Sequence, residues 1–241
     1  MIKLENVSFT YKNKTALDSV GVNIREGEAV AVIGPNGSGK STFLKLLNGI
    51  IFPSKGKYTF DKTEINENAL KDTKYLKLFH KRVGFVFQNS DAQLFCSTVF
   101  EEVAFGLMQM GLPENEINKR VGDCLELLNI YKLKEEHPYN LSGGEKKRVA
   151  IASVLAMNPE VITLDEPMNG IDPKGKRFIR ELLHDLNKSG KTIICATHDF
   201  EYIKGVFNRA IVFSEDHRIV RDGKYESIIR DEEFLRNCNI I

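Results

Sequence analysis

Apolar and polar residues alternate through IKLENVSFTY (residues 2–11) and SVGVNI (residues 19–24), the two-residue period of strands with one buried face. EAVAVIG (residues 28–34) replaces the alternation with a β-branched run, as in a strand covered on both faces of a parallel sheet. Helical spacing follows at once: Phe43, Leu46, Leu47 and Ile50 recur along KSTFLKLLNGI, and Gly49 and Pro53 punctuate the end. GKYTF (residues 56–60) returns to strand, and residues 61–82 form a charged, loosely helical connection.

VGFVFQ (residues 83–88) is another buried strand, after which helices, broken near GLPEN, interrupt the alternation of strand and helix. EVITLDEP and KTIICATHD are again short β-branched runs, separated by the helix KRFIRELLHDLNKSG with Gly190 as its C′ residue. Strands alternating with helices predict a parallel α/β sheet, with the mostly helical insertion as a subdomain. One domain over residues 1–241 is expected, with a core of residues 1–88 and 157–241 and a helical subdomain at 89–156. Ligands of parallel sheets bind beyond the carboxyl ends of the strands. The polar ends at GPNGSGKST, Gln88, Asp165–Glu166 and His198 are therefore expected to converge.

GPNGSGKS (residues 34–41) has the G-x-x-x-x-G-K-[ST] form of a phosphate loop, set between a strand and a helix. Gly34, Asn36, Gly37, Ser38 and Gly39 let backbone N–H groups turn around phosphate oxygens, with the amides of Lys40, Ser41 and Thr42 at the helix N-terminus. Lys40 is placed to reach the β- and γ-phosphates of ATP and Ser41 to ligate Mg²⁺. Asp165 is a second candidate for the magnesium, through water, and Glu166 for the base that activates a hydrolytic water. The plainer alternative for this pair is a solvated acidic turn before Pro167. Gln88 and His198 are single polar residues at strand ends, and Tyr11 offers either a ring face for adenine or an ordinary edge-strand tyrosine.

LSGGEKKRVAIASVLA (residues 141–156) opens with a hydroxyl and two glycines before a long apolar helix, a second anion-binding N-terminus far from the phosphate loop. A second such site on a separate helical segment points to a second molecule.

Composition changes this picture little. The chain is 42% hydrophobic, enough for a full core, and its net charge of +1 gives no support to a nucleic-acid-binding surface. Cys96, Cys124, Cys195 and Cys238 are scattered without a CxxC, which suggests a reduced compartment and no zinc site. No apolar run reaches membrane-spanning length, so a soluble chain is expected.

In this order, GPNGSGKST, Gln88, LSGGE, VITLDEP, GIDP and His198 resemble the nucleotide-binding subunit of ABC transporters. The resemblance implies an α/β fold with a P-loop core of RecA-like form, an N-terminal antiparallel β subdomain and an α-helical signature subdomain, and an ATP hydrolase that works as a head-to-tail dimer, with Ser142, Gly143, Gly144 and Glu145 of one subunit closing on the ATP held by the other. Asp172 would then lie in the loop that communicates across the interface. Gln88 would sense Mg²⁺ and the membrane partner, His198 would contact the γ-phosphate, and Tyr11 would stack on adenine. Glu145 departs from the Gln more usual after LSGG.

FQNSDAQLFCSTVFEEVAFGLMQMGL (residues 87–112) resembles the ATPases of energy-coupling factor importers, including CbiO-like subunits of cobalt and nickel uptake, and departs from their pattern at Ser90 and Ala92. That branch implies two ATPases at the cytoplasmic face of the membrane, a transmembrane T-type coupling protein and an S-type substrate-binding membrane protein, moving a metal ion or a vitamin. Leu94, Phe95, Val99, Phe100, Phe105 and Leu107 are candidate anchors for the T component, or plain core. Ile228, Ile229, Phe234 and Leu235 in the tail suit either a dimer contact or a packing helix. Another ABC transporter class remains an alternative, as does a soluble ABC protein acting on nucleic acid or ribosomes. The latter lacks support from a second phosphate loop, sustained heptads or a basic stripe.

Overall fold

The computed structural model describes residues 1–241, apart from the side chain of Glu201. Its N-terminal third carries strands β1 (Ile2–Tyr11), β2 (Lys14–Ile24) and β3 (Ala29–Ile33), helix α1 (Lys40–Leu47), and strands β4 (Lys55–Phe60) and β5 (Thr63–Glu64). Helix α2 (Thr73–Arg82) leads into β6 (Val83–Val86), and three helices follow: α3 (Val99–Gln109), α4 (Glu114–Leu127) and α5 (Gly143–Leu155). The chain then alternates β7 (Val161–Asp165), α6 (Pro173–Lys188), β8 (Thr192–Ala196), α7 (Phe200–Ile203) and β9 (Arg209–Phe213). It ends with β10 (Ile219–Lys224), α8 (Tyr225–Ile229) and α9 (Glu232–Asn237).

Six strands form one sheet in the order β10-β9-β3-β8-β7-β6, parallel throughout except for the antiparallel edge strand β10. Every residue of β3, β7 and β8 is buried, which is why their sequences read as continuous apolar runs. Ala29, Ala31 and Ile33 face the core shared with α3, α4, α5 and α6, while Val30 and Val32 face the core around α1 and the second sheet. That second sheet is antiparallel, β2-β1-β4-β5, and its alternating pattern follows from having only one covered face.

Most boundaries follow from local chemistry. Asp72 caps α2 by accepting from the amides of Lys74 and Tyr75, which orders the charged connection that read as only loosely helical. Thr98 and Glu101 form a reciprocal capping box at the start of α3. Gly190, at φ +95°, terminates α6 as expected of a C′ glycine. In the tail, Ile228 and Leu235 are buried in the main core with Ile229 and Phe234 against it, so of the two readings of this segment the structure carries the packing helix.

Helix α5 lies directly on the sheet because Gly84 of β6 has no side chain. A methyl at that position would overlap Cγ1 of Val154 and press on Pro159. Gly84→Ala is expected to push α5 off the sheet and cost about 1–3 kcal/mol, the usual range for overpacking, read as a lower urea midpoint with an unchanged slope.

Candidate functional site

Parallel pairing puts the carboxyl ends of β3, β8, β7 and β6 side by side, and the connections after β3, β6 and β7 line a cleft of about 330 Å³. Asn36, Gly37, Gly39, Lys40, Ser41 and Thr42 line it from the loop after β3. Gln88, from the end of β6, and Asp165 and Glu166, from the end of β7, line it opposite, and Tyr11 closes one end. Gly34 and Ser38 stand in the loop wall behind: Ser38 is buried, and its Oγ lies where a side chain on Gly34 would go. Three of the four expected strand ends therefore line the cleft, whereas His198, at the end of β8, is not among its lining residues and meets it through Glu166.

The loop is held open by its backbone. Gly39, at φ +107°, precedes α1 and provides no side-chain cap, so the first amides of α1 stay free of a capping oxygen. A side chain on Gly39 would collide with the Ala16 carbonyl oxygen of β2, so this loop tolerates only glycine there. Lys40 donates from Nζ to the carbonyls of Gly34 at 2.7 Å and Pro35 at 2.9 Å. Burial lowers its ammonium pKa, and Glu166 and Asp165 work against that shift.

The two carboxylates differ. Burial raises the Asp165 pKa above the usual carboxylate range, and the Ser41 hydroxyl beside it works the other way. Its Oδ1 is buried with no hydrogen-bond partner. Glu166 is 7% exposed and sits at φ +46°, a left-handed conformation uncommon for glutamate. That turn brings Oε2 to 2.9 Å from His198 Nδ1 and 3.3 Å from the His198 backbone N–H. Tyr11 is 44% exposed, and its ring meets Phe9 edge-on at 4.7 Å.

Ser142, Gly143, Gly144 and Glu145 lie elsewhere, in a separate cleft of about 480 Å³ that also takes in Asp172. Ser142 is the N-cap of α5. Glu145 turns its carboxylate back to accept from the Ser142 amide at 2.9 Å and hydroxyl at 2.6 Å, which lowers its pKa. Asp172 caps α6 through the Gly175 amide at 2.6 Å.

Two further residues at or near the cleft stand out that the sequence reading did not single out. His217, in the β9–β10 hairpin, lines the nucleotide-loop cleft, and its Nδ1 is buried without a partner. No residue pattern signals it. Lys147 of α5 is 3% exposed and donates to the carbonyls of Phe87 at 3.0 Å and Gln88 at 2.7 Å. Burial pulls its pKa down to about 8 against the pull of Asp165 and Glu166. A signal was available here, because Lys147 shares a helix face with Ala150, Ile151 and Val154.

The model of the ABC transporter family matches residues 17–169. The chain belongs to the ABC transporter family. It is an ATP-hydrolysing, ATP-binding subunit of that family. A putative ABC transporter ATP-binding protein of Clostridium acetobutylicum is 81% identical over 241 residues, covering 100% of both chains. The energy-coupling factor transporter ATP-binding protein EcfA of Methanocaldococcus jannaschii is 42% identical, over 100% of this chain and 85% of its own. Among solved structures, CbiO1 of Clostridium perfringens, described as part of the ABC transporter complex CbiONQ, superposes with a TM-score of 0.83. It shares 39% identity over 99% of this chain and 94% of its own.

The raised Asp165 pKa has a thermodynamic consequence. A carboxyl that binds its proton more tightly folded than unfolded contributes stability below its unfolded pKa, and that contribution is lost as pH rises through the folded value. Asp165→Asn is therefore expected to raise the melting temperature at neutral pH, without nucleotide or divalent cation, and to remove this decline above about pH 4. Calorimetry at several pH values checks it, and an Asn variant less stable than wild type at neutral pH would contradict it.

Proposed function

We propose that this ABC ATPase is the motor of an importer of the energy-coupling factor type, closing head-to-tail on a second ATPase subunit and driving a transmembrane partner. The observation that carries the dimer is the pair of glycines at the head of α5. A side chain on Gly143 or Gly144 would meet nothing within 4 Å, so neither glycine is required by the packing of its own chain. Glycine in place of alanine costs a helix about 1 kcal/mol. Bare backbone at a helix N-terminus, in a cleft apart from the chain's own phosphate loop, suits close approach by another molecule's γ-phosphate.

Within one half-site the roles follow from placement. Tyr11 offers its exposed ring to adenine. The amides from Gly37 to Thr42 surround the phosphates, and Lys40 exchanges the carbonyls of Gly34 and Pro35 for phosphate oxygens. Ser41 and the unpartnered Oδ1 of Asp165 are hard oxygen donors that fit Mg²⁺, with Gln88 as a further contact. That ion supplies charge neutralisation on the phosphate oxygens. Glu166 is held by His198 through Oε2, which leaves Oε1 to take a proton from the attacking water. His198 also approaches the γ-phosphate. Ser142, Gly143, Gly144 and Glu145 of the partner subunit complete the cage, with Asp172 beside them, and positioning does most of the catalytic work.

The partner surface lies near the end of β6. Val99 and Leu107 are core, whereas Phe95 is 68% exposed, stacked edge-on with Phe105 at 4.9 Å. Phe95 lines a groove of about 700 Å³ with Leu94, His137, Tyr139 and the Asp91–Lys146 ion pair, a mixed apolar and charged surface suited to an amphipathic helix of a T-type protein. Among the described residues no helix is long and apolar enough to cross a membrane, so a peripheral position at the cytoplasmic face is proposed through this groove. A metal ion or vitamin is the cargo class this branch handles.

Glu166→Gln is expected to keep ATP affinity while kcat falls about 10²-fold or more, the scale of lost general-base catalysis, and ATP should then hold the subunit as a stable dimer on gel filtration. Turnover near wild type removes Glu166 from this role. Gentle membrane extraction of the tagged subunit should recover a T-type membrane protein and a small hydrophobic S-type protein that identifies the cargo. Phe95→Asp should abolish that recovery. Soluble or ribosomal partners alone would overturn the transport reading.

A further inference from the structure

Beyond Val86 the chain leaves the sheet, and the carbonyls of Phe87 and Gln88 lose their ladder partners. Both are taken by one donor, the ammonium of Lys147. A lysine is seldom this deeply buried unless its donors are used, and an ammonium has three N–H bonds with which to serve diverging acceptors. The same helix fastens the rest of the segment. Gln93 accepts from the Phe87 amide at 3.0 Å and donates to the Ala150 carbonyl at 2.9 Å, and Lys146 pairs with Asp91 at 2.7 Å. Residues 87–93 are thus bound to α5 at both ends and in the middle.

Helix α5 begins at Ser142, which on the reading above serves the partner's ATP, while Gln88 serves this chain's own. We infer that Lys147 is a positioning residue for hydrolysis, pinning the backbone of Gln88 to α5 so that the chain's two contributions, one to each ATP, move as one piece. The side chain touches neither nucleotide. It acts by fixing where the Gln88 amide can reach, and its charge lies close enough to Asp165 and Glu166 for each to favour the ammonium form. The inference rests on the proposed role of Gln88.

The test is a double-mutant cycle on the assembled ATPase: wild type, Lys147→Met, Gln88→Ala and the double variant, with kcat and KM for Mg-ATP. Hydrogen exchange of residues 87–93 is measured without nucleotide, and each melting temperature is recorded. Lys147→Met should leave KM within about twofold and lower kcat about tenfold, as loss of a supporting contact to a metal-site residue does. The double variant should be no slower than Gln88→Ala by more than about twofold, because both changes break one path. Exchange of residues 87–93 should quicken while β3 stays protected. If Lys147→Met does not fold, Lys147→Gln, whose shorter, uncharged side chain stays polar but ends short of the ammonium position, takes its place with the same signs expected. Additive losses in kcat, or unchanged exchange in residues 87–93, overturn the role of Lys147 and leave the proposed function standing. A Gln88→Ala variant with wild-type turnover removes the role of Gln88 itself, and this inference with it.

Discussion

Four charged groups, Lys40, Lys147, Asp165 and Glu166, are all buried around the carboxyl ends of β3, β6 and β7. Taking one such charge out of water without partners costs several kcal/mol, and here each charge lies in the field of opposite ones. The arrangement is neutral in sum yet not fully satisfied: Asp165 keeps one oxygen without a partner and binds its proton more readily than a surface aspartate. The fold around the site holds it under this electrostatic tension, which on the proposed reading a divalent cation together with phosphate would relieve. The parallel sheet supplies the rigidity that such tension requires, since β3, β7 and β8 are buried along their whole length.

The two kinds of glycine in the chain make a useful contrast. Gly39 and Gly84 are required by their own surroundings, one by a left-handed turn against Ala16 and the other by the close seat of α5 on β6. Gly143 and Gly144 have no such internal demand. Glycines without an internal steric reason, at the N-terminus of a helix whose amides suit an anion, fit the proposed approach of another molecule. The Glu145 carboxylate complicates that picture, because it occupies Ser142 and places negative charge where a phosphate would arrive. On the head-to-tail reading proposed above, an arriving γ-phosphate would have to displace a hydrogen bond already made, which would favour a pre-aligned partner over a free anion.

Much of this was legible in the residue pattern because parallel β/α units carry their chemistry at fixed places. Buried strands read as β-branched runs, the phosphate loop follows the first of them, and the acidic pair follows another, so the convergence of Lys40, Gln88, Asp165 and Glu166 could be stated from order alone. Candidate coupling residues were less legible. Val99 and Phe95 lie four positions apart and are equally apolar, and only the cap at Thr98, which sets where α3 begins, turns one inward and leaves the other exposed. His217 could not have been found, since a hairpin far along the chain reaches the cleft only through tertiary contacts, among them the Asp18 amide bonding to its carbonyl. Lys147 was passed over because a lysine within a charged run is expected to be solvated.

The position of α5 ties these threads together. Its flank packs on Gly84, its head presents the bare glycines, and its first turns grip residues 87–93, which lead straight into the exposed pair Phe95 and Phe105. A force applied at that aromatic pair has a short, hydrogen-bonded route to Gln88 and, through the same helix, to Ser142. Packed elements of this kind transmit displacement because their interiors are too dense to absorb it. On the proposed reading, a partner docking in the groove need not reach either nucleotide to influence both; it would have only to shift the helix on which the segment rides.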